Sequence, residues 1–248
     1  MPPNGIARPR GVRRVGGHRE RLPVTFVPSE AHSTAGKQPG TAVADPTQRS
    51  NPCMIAPMHF HDVAWDDPLN VAPEIARIPK GAQIRGVFIA PLAVAARAAG
   101  ITAGVLRDRY TTDQLYPLVE HATLLVEVAR ASYPKLALRR GLRKLGRAAI
   151  GAYLDSVLGR VTVGSTDDPR LMLETIAKSY VTNIVGARAR LERVEPRSAV
   201  AVLENVPYFL DCHHVGVIEQ SLRRCNVEAQ IRVAELGEHS AAFECVWR

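Results

Sequence analysis

The most chemically suggestive residues in this 248-residue chain are the consecutive Asp211, Cys212, His213 and His214. Cysteine, histidine and aspartate all ligate metals, and a cysteine close to a histidine can act as a nucleophile. A zinc ion held by this run would need further donors at about 2.0–2.3 Å. Cys245, on a nearby predicted strand, is the obvious one, so Cys212, His213, His214 and Cys245 form the candidate set for metal or thiol chemistry. Cys225 cannot join Cys212, because the predicted helix between them spans about 20 Å at 1.5 Å per residue. Neighbouring helical residues also fan out at about 100° steps, so at most one or two of the run face any one point. The plainer reading makes Asp211 the cap at the helix's positive end and leaves Cys225 and Cys245 as small core hydrophobes.

Three other groups invite a functional reading. His121 flanks the apolar face of a predicted helix; it is either a ligand or base, or a core-edge imidazole with a hydrogen-bond partner. His59, His61, Asp62, Asp66 and Asp67 lie close in sequence, and His59 and His61 would point the same way on an extended chain, as half a metal site or as solvated side chains. Arg139, Arg140, Arg143, Lys144 and Arg147 share one helix face that could meet phosphates, nucleic acid or an anionic surface. No aromatics are interleaved for base stacking, and Gly141 and Gly146 loosen the helix, so a solvated face is the competing reading and nucleic acid is not the expected partner. The sequence holds no Walker loop, G-x-G-x-x-G, G-x-S-x-G, H-E-x-x-H or EF-hand loop, which removes the commonest enzyme classes.

Stepping from these groups to the elements that carry them, apolar periodicity predicts a helix over 115–129, with Leu115, Leu118, Val119, Ala122, Leu125, Val126 and Ala129 on one face. Leu124 and Val128 are apolar on the other side, so this helix is expected at the centre. A second helix is expected over 138–158, and a third begins at Asp168 as cap with Pro169 in its first turn and runs to about Val181. Gln83 to Ile89 is either a strand or the entry to a helix over 91–99, and Thr102 is expected to cap a short helix through Arg109. The last third reads as hairpin, helix, hairpin. Strands 187–194 and 199–203 flank a turn at Pro196, a helix covers 214–224, and strands 227–234 and 241–247 flank Gly237. On that helix His214, Ile218, Ser221, Leu222 and Cys225 lie along the side expected to pack on the sheet.

Composition sets the frame. Apolar residues make up 46% and aromatics 5%, so a sizeable core is mostly aliphatic. The net charge of +8 is unevenly spread: residues 1–53 hold eight Lys+Arg against three Asp+Glu, a net of +5. This Pro/Gly/Arg-rich leader is expected to be disordered, and is read as a tail, a targeting segment, or sequence ahead of a true start at Met54 or Met58. Residues 54–78 form a lead-in, and 79–248 a single domain. Four cysteines without paired spacing fit free thiols in the cytoplasm, and no apolar run approaches the ~20 residues of a membrane span.

Several short motifs together carry a resemblance: Ile84-Arg85-Gly86-Val87-Phe88, then Leu145-Gly146-Arg147 continuing to Gly159-Arg160, then His214 to Glu219, and the closing Glu244-Cys245-Val246-Trp247. They resemble a paralogous family of myxobacterial proteins of unknown function, over about 79–248. That family is in turn similar to a superfamily containing haem-nitric-oxide-binding domains, 4-vinyl-reductase domains and TRAPP transport subunits. The resemblance implies helices first and a sheet with a helix last, with apolar space between the halves that can hold a ligand or acyl chain. The haem-binding members carry a Tyr-x-Ser-x-Arg motif and a proximal histidine. That motif is absent here, so haem is doubtful and no cofactor is expected.

The expected fold is therefore α+β: an N-terminal helical half followed by a ββαββ half with an antiparallel sheet. The expected function is a non-catalytic regulatory or sensor-like domain that binds an apolar small molecule or a protein partner, with a homo-oligomer allowed. His121, Leu125, His214 and Ile218 are the pocket candidates. A solid core with no cavity near ~300 Å³ would sink the small-molecule version of that reading.

Overall fold

The computed structural model describes residues 58–102, 104–155, 159–161 and 166–248; the basic leader lies outside the described residues. Helices dominate the first part: α1 (Val71–Ala76), α2 (Gly86–Ala98), α3 (Leu118–Ser132), α4 (Leu138–Asp155) and α5 (Pro169–Asn183). A two-stranded ribbon, β1 (Gln83–Arg85) with β2 (Leu115–Pro117), is threaded among them. The second part is β3 (Arg188–Glu195), β4 (Ser198–Glu204), a π-helical turn (Leu210–His214), α6 (Val215–Arg224), β5 (Ala229–Gly237) and β6 (Ser240–Trp247). All strand pairs of the four-stranded sheet are antiparallel, in the order β3-β4-β6-β5. The expected α+β fold with a ββαββ second half is what forms.

Period-two patterning explains the sheet. Ala199, Ala201 and Leu203 on β4 and Ala241, Phe243, Cys245 and Trp247 on β6 are buried toward the helices. Val200, Val202, Ala234 and Ala242 point to the other face, where Met58 and Phe60 cover them. His61 holds that lead-in at the sheet edge, exchanging backbone hydrogen bonds with Val233 at 3.0 and 2.9 Å.

Several local expectations are corrected. Residues 115–117 are not helical: Pro117 ends a strand and α3 starts after it, where the Leu118 N–H reaches the Ala82 carbonyl at 2.8 Å. Leu115 and Val119 are consequently exposed, while Leu118, Ala122, Leu124, Leu125, Val126, Val128 and Ala129 are buried. The 83–89 stretch divides at Gly86 into strand and helix, so α2 starts before Pro91 rather than at it. The described residues after Thr102 form turns and bends through Arg109, held by Arg97 on the Asp108 carbonyl at 2.7 Å and by the Tyr110 hydroxyl on the Val105 carbonyl at 3.0 Å. Asp168 caps α5 as expected, accepting from the Arg170 N–H.

Helix α6 does not merely lie on the sheet. It is buried on several sides, with Val215, Gly216, Val217, Ile218, Glu219 and Leu222 all buried, and its main packing partner is α4. Two glycines permit that approach. A Cβ on Gly216 would land on the Arg143 carbonyl, and one on Gly146 would land on the His213 carbonyl. Gly146, expected to loosen a basic helix, is instead where two backbones touch.

Candidate functional site

The π turn begins with Phe209 in the left-handed region at φ 46°, an unusual conformation for a bulky residue. From there its carbonyl accepts the backbone N–H groups of Cys212 (3.2 Å), His213 (3.0 Å) and His214 (3.4 Å). This turn replaces the expected Asp211 cap. Asp211 lies inside it and pairs with Arg139. The turn sets His213 and His214 side by side, with ring centroids 5.1 Å apart. His121 on α3 approaches from across, 6.2 Å from the His213 ring, and Tyr208 stands between, 5.6 Å from His121 and 4.7 Å from His214. From α5 the Tyr180 hydroxyl reaches Nδ1 of His214 at 2.6 Å.

These rings line one chamber whose remaining wall is apolar, including Ile84, Phe88, Ile150, Ile176 and Val217. Its walls come from β1, α2, α3, α4, α5, the π turn and α6; the four-stranded sheet contributes none. Its volume is about 40 Å³, room for about three waters. Nδ1 of His121, Nδ1 of His213 and Nε2 of His214 are buried and have no hydrogen-bond partner among the described residues. Burial and the neighbouring His213 push the His121 imidazole down to about 3. Burial pushes His213 to about 4, and burial together with His213 and His121 holds His214 well below the ordinary histidine value. All three are neutral at physiological pH. Burial likewise holds the Tyr180 and Tyr208 hydroxyls protonated.

Of the four expected pocket residues, the structure brings together His121 and His214. Leu125 and Ile218 are buried in the general core and do not line the chamber. His121 is buried, and its Nδ1 has no hydrogen-bond partner among the described residues. His213, Tyr180 and Tyr208 were not singled out for a pocket. Tyr180 reads as one more apolar position on α5, and only the adjacency of His213 to His214 hinted at a paired role.

The expected metal and thiol set does not assemble. Among the described residues no group of three or more His, Cys, Asp or Glu could hold a metal ion, so Cys212, His213, His214 and Cys245 do not converge. Burial raises the Cys212 thiol and pushes Cys245 up to about 12, which makes both poor nucleophiles. The His59–Asp67 group is dispersed as well, with Asp66 accepting both Arg140 nitrogens at 2.6 Å. The basic face of α4 is largely neutralised within the domain. Arg139 pairs with Asp211, Arg140 with Asp66, and both Arg143 and Arg147 with Glu219. Arg143 also stacks 4.1 Å over the Trp65 ring, and Lys144 stands 5.2 Å over Tyr133.

The chamber, at about 40 Å³, falls well short of the ~300 Å³ expected of a small-ligand site, and a haem, already doubtful from the missing motif, does not fit it. The glycine contacts at Gly146 and Gly216 close α4 on α6.

Comparison with known proteins accords with the fold. The structure is similar to an Fe(II) unliganded H-NOX protein from K. algicida, at 14% identity and a TM-score of 0.51, over 66% of this chain and 97% of that one. It is similar to an H-NOX protein from S. oneidensis in the Fe(II)NO ligation state, at 12% identity and a TM-score of 0.52, over 66% of this chain and 99% of that one. No curated protein matches the chain. Among the described residues no helix is long and apolar enough to cross a membrane. Residues 80–248 match the model of a family described as a protein of unknown function, DUF2378, and the chain belongs to that family.

Proposed function

We propose that this chain is a non-catalytic, sensor-like regulatory domain that holds a small molecule in the imidazole-lined chamber. The observation that carries this reading is that three buried rings, each with an unpartnered nitrogen, line a single cavity. Folded proteins pair nearly all buried polar atoms, and each bare one costs about 1–3 kcal/mol. Three around one space is the pattern expected of a site completed by something other than the chain.

The H-NOX likeness supports the reading by analogy, since one of those neighbours is a protein in an Fe(II)NO ligation state. A catalytic reading lacks support: among the described residues the lining holds no carboxylate and no thiol. A nucleic-acid or anionic-surface reading through the basic leader and the basic helix loses its helix half to the ion pairs of Arg139, Arg140, Arg143 and Arg147, while the leader lies outside the described residues. The chamber's size also narrows the ligand, because an acyl chain or other large apolar molecule exceeds it. Buried free thiols at Cys212, Cys225 and Cys245 suit a reducing cytoplasm, where the bound state would be read by a protein partner or a second copy.

The test is a crystal structure of the chain purified from its own host. Solute density against His121, His213 and His214 is the expected result. A chamber holding water alone, with no thermal shift from a small-molecule library, overturns the reading.

A further inference from the structure

Resting on that reading, we infer that the ligand is a neutral molecule of about three non-hydrogen atoms, with a hydroxyl or amide group that meets His213 and His214 and a short apolar body.

The chamber's electrostatics exclude ions. Among the described residues no Asp, Glu, Lys or Arg lines it. An ion entering would lose its water and find no counter-charge. The imidazoles do not supply one, because burial keeps each of them neutral.

The polar end is defined by what each ring already does. His213 carries a bare, buried Nδ1, and a neutral imidazole donates from one ring nitrogen and accepts at the other. His214 meets the Tyr180 hydroxyl at Nδ1 and leaves its Nε2 bare. Two bare ring nitrogens therefore stand on adjacent rings 5.1 Å apart. A hydroxyl or an amide both donates and accepts, whereas a hydrocarbon does neither and an ether only accepts. Beyond them Ile84, Ile150, Ile176 and Val217 offer only an apolar surface. The volume of about 40 Å³ caps the size, being well below the ~150 Å³ of a cavity that takes benzene.

The experiment titrates the full chain, labelled with ¹⁵N-histidine, with ethanol and with formamide at neutral pH. Binding efficiency per atom limits a three-atom ligand to a Kd of about 1 mM at best. The expected result is a saturable shift of the His213 and His214 ring nitrogens with a Kd of about 1–10 mM. Formate and methylammonium, of similar size but charged, are expected to give none. Ala149→Leu fills the chamber from α4 without removing a polar group and should abolish the shift; Val217→Leu does the same from α6 should the first variant not fold. Saturable binding of formate or methylammonium, an undiminished response in both filled variants, or one-to-one hemin uptake with a Soret band would overturn the inference. If the probes do not bind but host-purified protein carries a larger or charged solute there, the ligand class fails and the site survives. If the chamber holds only water in both experiments, both fail.

Discussion

The Tyr180 hydroxyl lies 2.6 Å from Nδ1 of His214, tying α5 to the π turn through two side chains that are both buried. Tyr180→Phe keeps the ring and removes the bond, leaving His214 with a second bare nitrogen. The expected cost is about 1–3 kcal/mol. It should appear as a lower urea midpoint with an unchanged slope, and an unchanged midpoint would refute the assignment.

Acid should destabilise the domain earlier than ordinary carboxylate titration does. His121 and His213 are depressed to about 3 and about 4, and His214 is depressed too, while all three regain an ordinary value of about 6.5 when unfolded. The unfolded chain thus binds more protons below pH 6.5, and stability falls as pH drops from there toward the folded values. Above that point their contribution is fully present. Each imidazole adds up to about 1.4 kcal/mol per pH unit to the slope. Urea titrations from pH 8 to pH 4 measure it, and His121→Phe should lower the slope by one proton's worth.

Gly216→Ala should be among the most damaging small substitutions in the chain. The added methyl meets the Arg143 backbone carbonyl, which cannot rotate away as a side chain could. Overpacking of this kind costs about 1–3 kcal/mol, and the backbone obstacle puts it at the upper end. Gly237→Ala is the control, since no atom stands within contact range of its missing Cβ. Thermal melts of the two proteins should separate clearly.

Glu219 accepts both Arg143 and Arg147 and locks α6 to the basic face of α4. Burial alone would raise its carboxyl, yet the two guanidiniums outweigh that and hold it below the ordinary glutamate value. Glu219→Gln should cost about 2 kcal/mol, less than the ~3–5 kcal/mol of a fully buried pair because both arginines keep contact with water. Chemical denaturation measures the loss, and a difference below about 0.5 kcal/mol would show the network to be dispensable.

Much of the architecture was legible in residue order. Alternation on Val227–Val233 and Ala241–Trp247, the cap at Asp168 and the all-round apolar surface of Ala122–Ala129 are local patterns, and local patterns fix elements. Errors fell where a single residue outweighed the pattern around it. Pro117 converted the first predicted turn of a helix into a strand, and Phe209 opened a π turn where Asp211 was expected to cap. The basic stripe of α4 could not be judged from its own sequence, because Asp66, Asp211 and Glu219 reach it from distant positions.

The sequence by itself determined the α+β class, the ββαββ order of the second half and the presence of His121 and His214 on buried elements, since these depend on periodicity and composition within short windows. Only the tertiary structure decided that His121, His213 and His214 share one small chamber with Tyr180 and Tyr208, and that its walls are helices rather than the sheet. The reason is physical: ring nitrogens contributed by residues almost a hundred positions apart become a site only when backbone contacts such as Gly146 against His213 fix the distance between helices.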